Sequence, residues 1–146
     1  MRHLTLLQAL AVAAAFTLPA AAPVRAADLT IIVEGEVAAA GTISIAVYDA
    51  PEKFRKDDAA VALLRVKPQA GRAVVTLHNL PAGPYAAAVY ADGNNNGKLD
   101  TNLAGLPAEA YGFSNAARGN FGPPQFEAAA IPLGAVNTET RILLAR

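Results

Sequence analysis

Short segments with strict two-residue alternation, each closed by Gly, Pro, Asn or Asp, constrain this chain more than any other feature. Leu29, Ile31 and Val33 alternate with Thr30, Ile32 and Glu34; Ile43, Ile45 and Val47 alternate with Thr42, Ser44, Ala46 and Tyr48. In a strand, successive side chains point to opposite faces, so this pattern describes strands with one buried face. Further strands are expected over 61–66, 72–77 and 85–91, with strand-like patterns at 126–133 and 138–144. The first two segments are separated by a small-residue stretch ending at Gly41 and are expected to form a hairpin. Asp49-Ala50-Pro51-Glu52 reads as a capped start for a short helix or helical turn to about Asp58, with a solvated charged face. About seven short strands and no long helix predict an all-β fold, an antiparallel β-sandwich of prealbumin-like or immunoglobulin-like type.

The first residues follow a different logic. Met1-Arg2-His3 is a basic start, Leu4 to Leu18 is almost wholly apolar, and Val24-Arg25-Ala26 has small apolar residues at the −3 and −1 positions of a cut. This is the layout of a secretory signal peptide over residues 1–26. The apolar run is shorter than the roughly 20 residues of a membrane span, so no stable membrane insertion is expected after cleavage. Residues 27–146 then form a single domain, placed in the periplasm or outside the cell.

Composition narrows the function classes. Loss of Arg2 and Arg25 leaves 10 basic residues against 12 acidic, a charge of −2. A slightly acidic chain is a poor nucleic-acid binder. There is no cysteine, and His78 is the only histidine of the mature chain. These exclude a thiol nucleophile and disfavour zinc, which prefers nitrogen and sulfur ligands. The only serines beyond the leader, Ser44 and Ser114, lie mid-strand and in a loop, and His78 reads as an ordinary strand residue.

The stretch ADGNNNGKLDTN, residues 91–102, carries the clearest chemical signal. Calcium loops of EF-hand type take oxygen ligands at positions 1, 3, 5, 7, 9 and 12, with glycine at 6. With Asp92 first, Asn94, Asn96, the Lys98 carbonyl and Asp100 fall on positions 3, 5, 7 and 9, and Gly97 on 6. Position 12 is Leu103 in place of the usual acid; Glu109, Glu127 and Asp49 are candidates to replace it. The expected cofactor is a structural, weakly bound Ca²⁺. Asn, Asp and Gly also build turns without metal, so a plain Asx-rich turn stands beside that reading.

The segment from Asp92 to Gln125 is rich in Gly, Pro and Asn yet holds Tyr111, Phe113 and Phe121, with Phe126 just beyond. Long loops that stay ordered are held by specific contacts or by function. The rings either build a second small core or, with Arg118, form a ligand patch of Tyr111, Phe113, Arg118 and Phe121. Such a patch suits a sugar or an extended peptide of the envelope.

The phrase NLPAGPYAAAVYAD, residues 79–92, places Tyr85 at a strand start after a Pro-Gly turn, as in prealbumin-like and carboxypeptidase-regulatory-like sandwiches. Residues 90–133 carry Tyr111-Gly112-Phe113-Ser114-Asn115, then Gly119, Phe121-Gly122-Pro123 and Phe126. With the export signal, the strand pair and Asp49 before Phe54, this chain resembles the bacterial domain-of-unknown-function family 2141. That resemblance implies an exported β-domain and no known activity. The combined expectation is a non-enzymatic binding or accessory module of the cell envelope. The alternative is a metal-dependent hydrolase-like enzyme that uses the loop carboxylates.

Overall fold

The alternating segments fold into two sheets in a computed structural model that describes residues 26–37 and 41–146. The expected signal peptide therefore lies outside the described residues, apart from Ala26. The strands are β1 (Ala27–Gly35), β2 (Thr42–Tyr48), β3 (Ala62–Val66), β4 (Ala73–Leu80), β5 (Gly83–Asp92), β6 (Tyr111–Phe113), β7 (Ile131–Leu133) and β8 (Thr138–Leu144). One sheet has the order β4-β1-β8; the other has the order β3-β2-β5-β6, with β7 paired to the start of β5.

The mostly antiparallel sandwich is as the alternation predicts, with two differences in pairing. β1 and β2 do not form a hairpin: β1 pairs with β4 and β8, whereas β2 pairs with β3 and β5. The chain crosses from one sheet to the other between them. β1 and β8 also run parallel, with Leu29 opposite Thr138 and Gly35 opposite Leu144. Strand alternation fixes which face is buried but contains no information about the partner.

Leu29, Ile31 and Val33 from β1 meet Ile43, Ile45 and Val47 from β2, with Tyr85, Ala87 and Val89 from β5 and Ile142 and Leu144 from β8. Full burial of such aliphatic side chains contributes about 1.5–3 kcal/mol each before entropy is counted. Tyr85 enters this core beside the Pro-Gly turn, and its hydroxyl donates to the Pro81 carbonyl at 2.9 Å. Burial of Tyr85 also pushes its phenol above the ordinary range.

The β2–β5 sheet is covered on its outer face as well. Ala46, Tyr48, Ala86, Phe126 and Ala129 form a second buried cluster, flanked by Phe54, Ala88 and Phe113. Small alanines on β5 leave room for the rings. Phe54 packs against Tyr48, Phe113 and Phe126 with ring centroids 5.5–6.0 Å apart. Edge-to-face and tilted contacts of this kind favour aromatic clusters over loose packing.

Local elements differ from expectation in this covering layer. The 51–58 segment holds two 3-10 turns, Pro51–Lys53 and Asp57–Ala59, and no longer helix. Asp49 does not cap them; its carboxylate pairs with Lys53 at 2.9 Å. Residues 126–133 are not one strand: α1 (Phe126–Ala129) is a single helical turn that drops Phe126 and Ala129 into the outer cluster, and β7 follows. The long segment after β5 contains β6, whose Tyr111 is bridged to Ala145 through paired backbone hydrogen bonds. That bridge joins the two sheets at one corner.

Candidate metal loop and aromatic groove

The 92–100 loop begins where β5 leaves the sheet. Asp92 is fully buried. Its Oδ1 accepts from the Asn96 amide at 3.1 Å and its Oδ2 from the Gly97 amide at 2.8 Å. Asn94 Oδ1 accepts from Asn96 N, and Asn96 Oδ1 accepts from Lys98 N. These are Asx turns in succession, each side chain bonding the backbone two residues on. They wrap the chain around one centre, helped by Asn95 and Gly97 in the left-handed region. Asp100 closes the wrap by accepting from Asn94 Nδ2 at 2.7 Å and Asn96 Nδ2 at 2.9 Å.

Glu109 stands at the mouth of this loop. Its Oε1 accepts from Gly93 N at 2.8 Å and its Oε2 from Asp100 N at 3.0 Å. One carboxylate thus ties the two ends of the loop, as a bidentate acid at position 12 would through a metal. The other candidates lie elsewhere. Asp49 follows Tyr48, which pairs with Ala86 at the far end of the β2–β5 ladder from Asp92. Glu127 sits on α1, beside the outer cluster.

The loop's donors fit a hard cation by type: two carboxylates, two amide oxygens and the Lys98 carbonyl. They fit it less well by arrangement. The amide nitrogens of Asn94 and Asn96 face Asp100, so a cation on Asp100 requires both amides to turn their oxygens inward. Among the described residues, no three His, Cys, Asp or Glu side chains stand close enough to hold a metal by themselves. Both loop carboxylates accept hydrogen bonds from loop donors.

Of the four predicted patch residues, three come together. Tyr111, Phe113 and Arg118 line a shallow cavity of about 80 Å³ with Ala117, Pro123 and Pro124. Phe121 does not join them; it projects fully into solvent with a left-handed backbone. Phe113 has two roles, since it lines the groove and also packs on Phe54 in the outer cluster. Tyr111 lies 6.1 Å from Phe113, edge to face. The ring cluster expected as a second core and the groove expected as a patch are thus two sides of one structure.

Sequence reasoning set Ser114 aside as a loop serine; the fold gives it a structural position. It is fully buried, its Oγ accepting from Ala87 N at 2.9 Å and donating to the Ala129 carbonyl. The neighbouring Asn115 adopts φ 56° and donates its amide to the Ala130 carbonyl. Gly112 is needed because a Cβ there would lie 2.8 Å from the Leu143 carbonyl. The Tyr-Gly-Phe-Ser-Asn run is therefore a clasp, and the signal that could have shown it is a serine followed by a turn-forming asparagine. His78 does not face either serine. Its Nδ1 bonds Asp28 at 2.9 Å, and Asp28 also accepts from Asn79 N at 3.0 Å. The Asn79 amide, then the histidine bond, hold the Asp28 carboxyl below its ordinary range.

Among the described residues no helix is long and apolar enough to cross a membrane. Residues 31–141 match the model of a family described as an uncharacterized protein conserved in bacteria (DUF2141). No curated protein and no solved structure matches the chain.

Proposed function

The chain belongs to the DUF2141 family, and from that premise we propose that it is an exported, non-enzymatic binding or accessory module of the bacterial cell envelope. The observation that carries this reading is the groove of Tyr111, Phe113 and Arg118. It combines aromatic faces with a guanidinium on a segment that Ser114 clasps to β5. Rigid aromatic walls with a few polar groups suit a sugar or an extended peptide, and a preorganised wall lowers the ordering cost of binding. The basic start and apolar run of residues 1–18 support export to the periplasm or beyond. The 92–100 loop is a structural element of the same module and takes Ca²⁺ weakly, in the range of about 10⁻⁴ to 10⁻³ M typical of extracellular modules.

The test is an NMR titration of the mature domain with an N-acetylglucosamine trimer and, separately, a proline-rich peptide. The expected result is a set of shift changes at Tyr111, Phe113, Ala117 and Arg118 with one of the two probes, abolished by Arg118→Glu. Amides that stay in place with both probes at millimolar concentration would remove the groove as a binding site.

A further inference from the structure

The two sheets leave one side of the sandwich open. Tyr111 of β6 is bridged to Ala145 just past β8, so β6 and β8 close one side. β3 and β4 are the opposite end strands of their sheets and flank the other side. The core is incompletely sealed there. The half-buried residues packed on the inter-sheet core are Ala62, Leu64 and Val66 of β3 and Val75, Leu77 and Leu80 of β4. Leu63, on the outward face of β3, is 52% exposed.

The main chain of β3 is also unpaired on that side. In an antiparallel sheet a residue turns its N–H and C=O to one neighbouring strand, and successive residues alternate between neighbours. Ala87 N bonds Ser114 and Ala91 N bonds Ala110, so the odd-numbered residues of β5 face β6 and the even-numbered ones face β2. The register of β2 with β5 then turns Ile43, Ile45 and Val47 toward β3, where they meet Val66, Leu64 and Ala62. Leu63 and Arg65 therefore direct their N–H and C=O groups outward, and no strand pairs with them among the described residues. Natural sheets blunt such edges with bulges, prolines or inward charges. β4 has one such device, a bulge between the Ala27 and Leu29 pairings with Asn79 in the left-handed region. β3 has none of them: its register is unbroken and its inward residues are Ala62, Leu64 and Val66.

We propose that β3 pairs antiparallel with β3 of a second copy of this chain, across a two-fold axis at Leu64. The charge on Arg65 selects this register. An axis at Arg65 would set two guanidinium side chains directly opposite each other, which is destabilising. An axis at Leu63 would set Arg65 opposite Val61, whose N–H is already given to the Val47 carbonyl at 2.8 Å. With the axis at Leu64, Leu63 of each copy faces Arg65 of the other, and each of these pairs exchanges main-chain hydrogen bonds in both directions. The Arg65 stem covers the exposed Leu63, and Leu64 meets Leu64 over the open core. The same patch serves both copies, as an isologous dimer requires. β6 lies at the far end of the sheet from β3, so the Tyr111–Arg118 groove stays open in both copies.

Sedimentation equilibrium of the mature domain over roughly 10 μM to 1 mM, a span suited to a small interface, tests the pairing. The expected result is a mass that rises from one domain toward two. Amide exchange at Leu63 and Arg65 should slow over the same range, with β4 amides unchanged. Leu63→Pro removes an outward N–H and keeps the bonds to β2, so it should stay folded and monomeric throughout. Leu63→Glu puts a carboxylate opposite Arg65 of the second copy and should tighten the dimer by up to about fivefold. A mass of one domain across the whole range would overturn the proposal. So would association that leaves exchange at Leu63 and Arg65 unchanged, a result that decides the edge on the wild type even where proline is not tolerated. Weaker association of Leu63→Glu would overturn the register, because an axis at Leu63 predicts it.

Discussion

Ser114 Oγ accepts the backbone amide of Ala87 at 2.9 Å in the middle of β5. β5 uses residues 83–85 to pair with β7 and residues 88–90 to pair with β6. Ala87 falls in the gap between those partners, where no strand supplies an acceptor. Ser114 fills the gap and donates its own proton to Ala129 at the end of α1. One hydroxyl thus joins three elements and fixes the segment that presents Tyr111 and Phe113.

Replacing Ser114 with Ala should destabilise the domain by about 1–3 kcal/mol, because a buried amide and a carbonyl both lose their partner. Urea denaturation of the variant measures this directly. A midpoint equal to that of the wild type would remove the clasp as a source of stability.

Gly112 and Gly122 of the aromatic segment should behave differently. Gly112→Ala brings a Cβ to 2.8 Å from Leu143 O and 3.0 Å from Ile142 Cγ2, whereas a Cβ on Gly122 meets nothing within 4 Å. Overpacking costs about 1–3 kcal/mol, while a change in open space stays within about 0.5 kcal/mol. Thermal midpoints of the two alanine variants check the contrast.

Calcium should raise the midpoint of the mature domain. With a few millimolar CaCl₂ and a site of about 10⁻⁴ to 10⁻³ M, mass action gives roughly 1–2 kcal/mol relative to EDTA. Asp92→Ala should abolish the rise. It should also destabilise the metal-free protein by about 1–3 kcal/mol, since Asn96 N and Gly97 N lose their acceptor. A wild-type midpoint indifferent to calcium would leave the loop as an Asx turn closed by Glu109.

Acid should weaken the joint between β1 and β4. The folded Asp28 carboxyl titrates below its ordinary value of 3.8, first through Asn79 N and then through His78. Its contribution is therefore complete above that value and is lost as pH falls through the folded pKa. Asp28→Asn should flatten the dependence of the midpoint below about pH 4, by a small amount for so exposed a group. Matching wild-type and variant profiles would rule the group out.

Removing the Tyr85 hydroxyl should cost about 0.5–1.5 kcal/mol, the net worth of one hydrogen bond, since Tyr85→Phe keeps the ring in the core and loses only the contact to Pro81 O. Chemical denaturation of the variant measures it.

Much of the site could be read from local spacing. Asp92, Asn94, Asn96 and Asp100 lie in one hydrogen-bonded loop: Asn94 and Asn96 bond the amides two residues on, Asp92 accepts from Asn96 N and Gly97 N, and Asp100 accepts from both asparagine side chains. Choosing Glu109 over Asp49 and Glu127 was not possible from sequence, since the choice depends on where β5 and β6 bring distant residues. Phe121 looked like its aromatic neighbours, yet its left-handed backbone turns it away from the groove. Phe126 looked like a strand residue because a single helical turn is too short for its periodicity to show.

The sequence by itself determined the longer strands, the face of each that is buried and the turn chemistry of the loop, because those properties depend on neighbours one to five residues away; the three-residue strands β6 and β7 were too short to show. The tertiary structure decided which strands meet. It sent β1 and β2 to different sheets, set β8 parallel to β1 across more than a hundred residues, and lined up Arg65, Ser44, Tyr90 and Tyr111 from four strands. Pairing is a choice among many strands with the same alternation, and it is settled by how all of them fill one shared core.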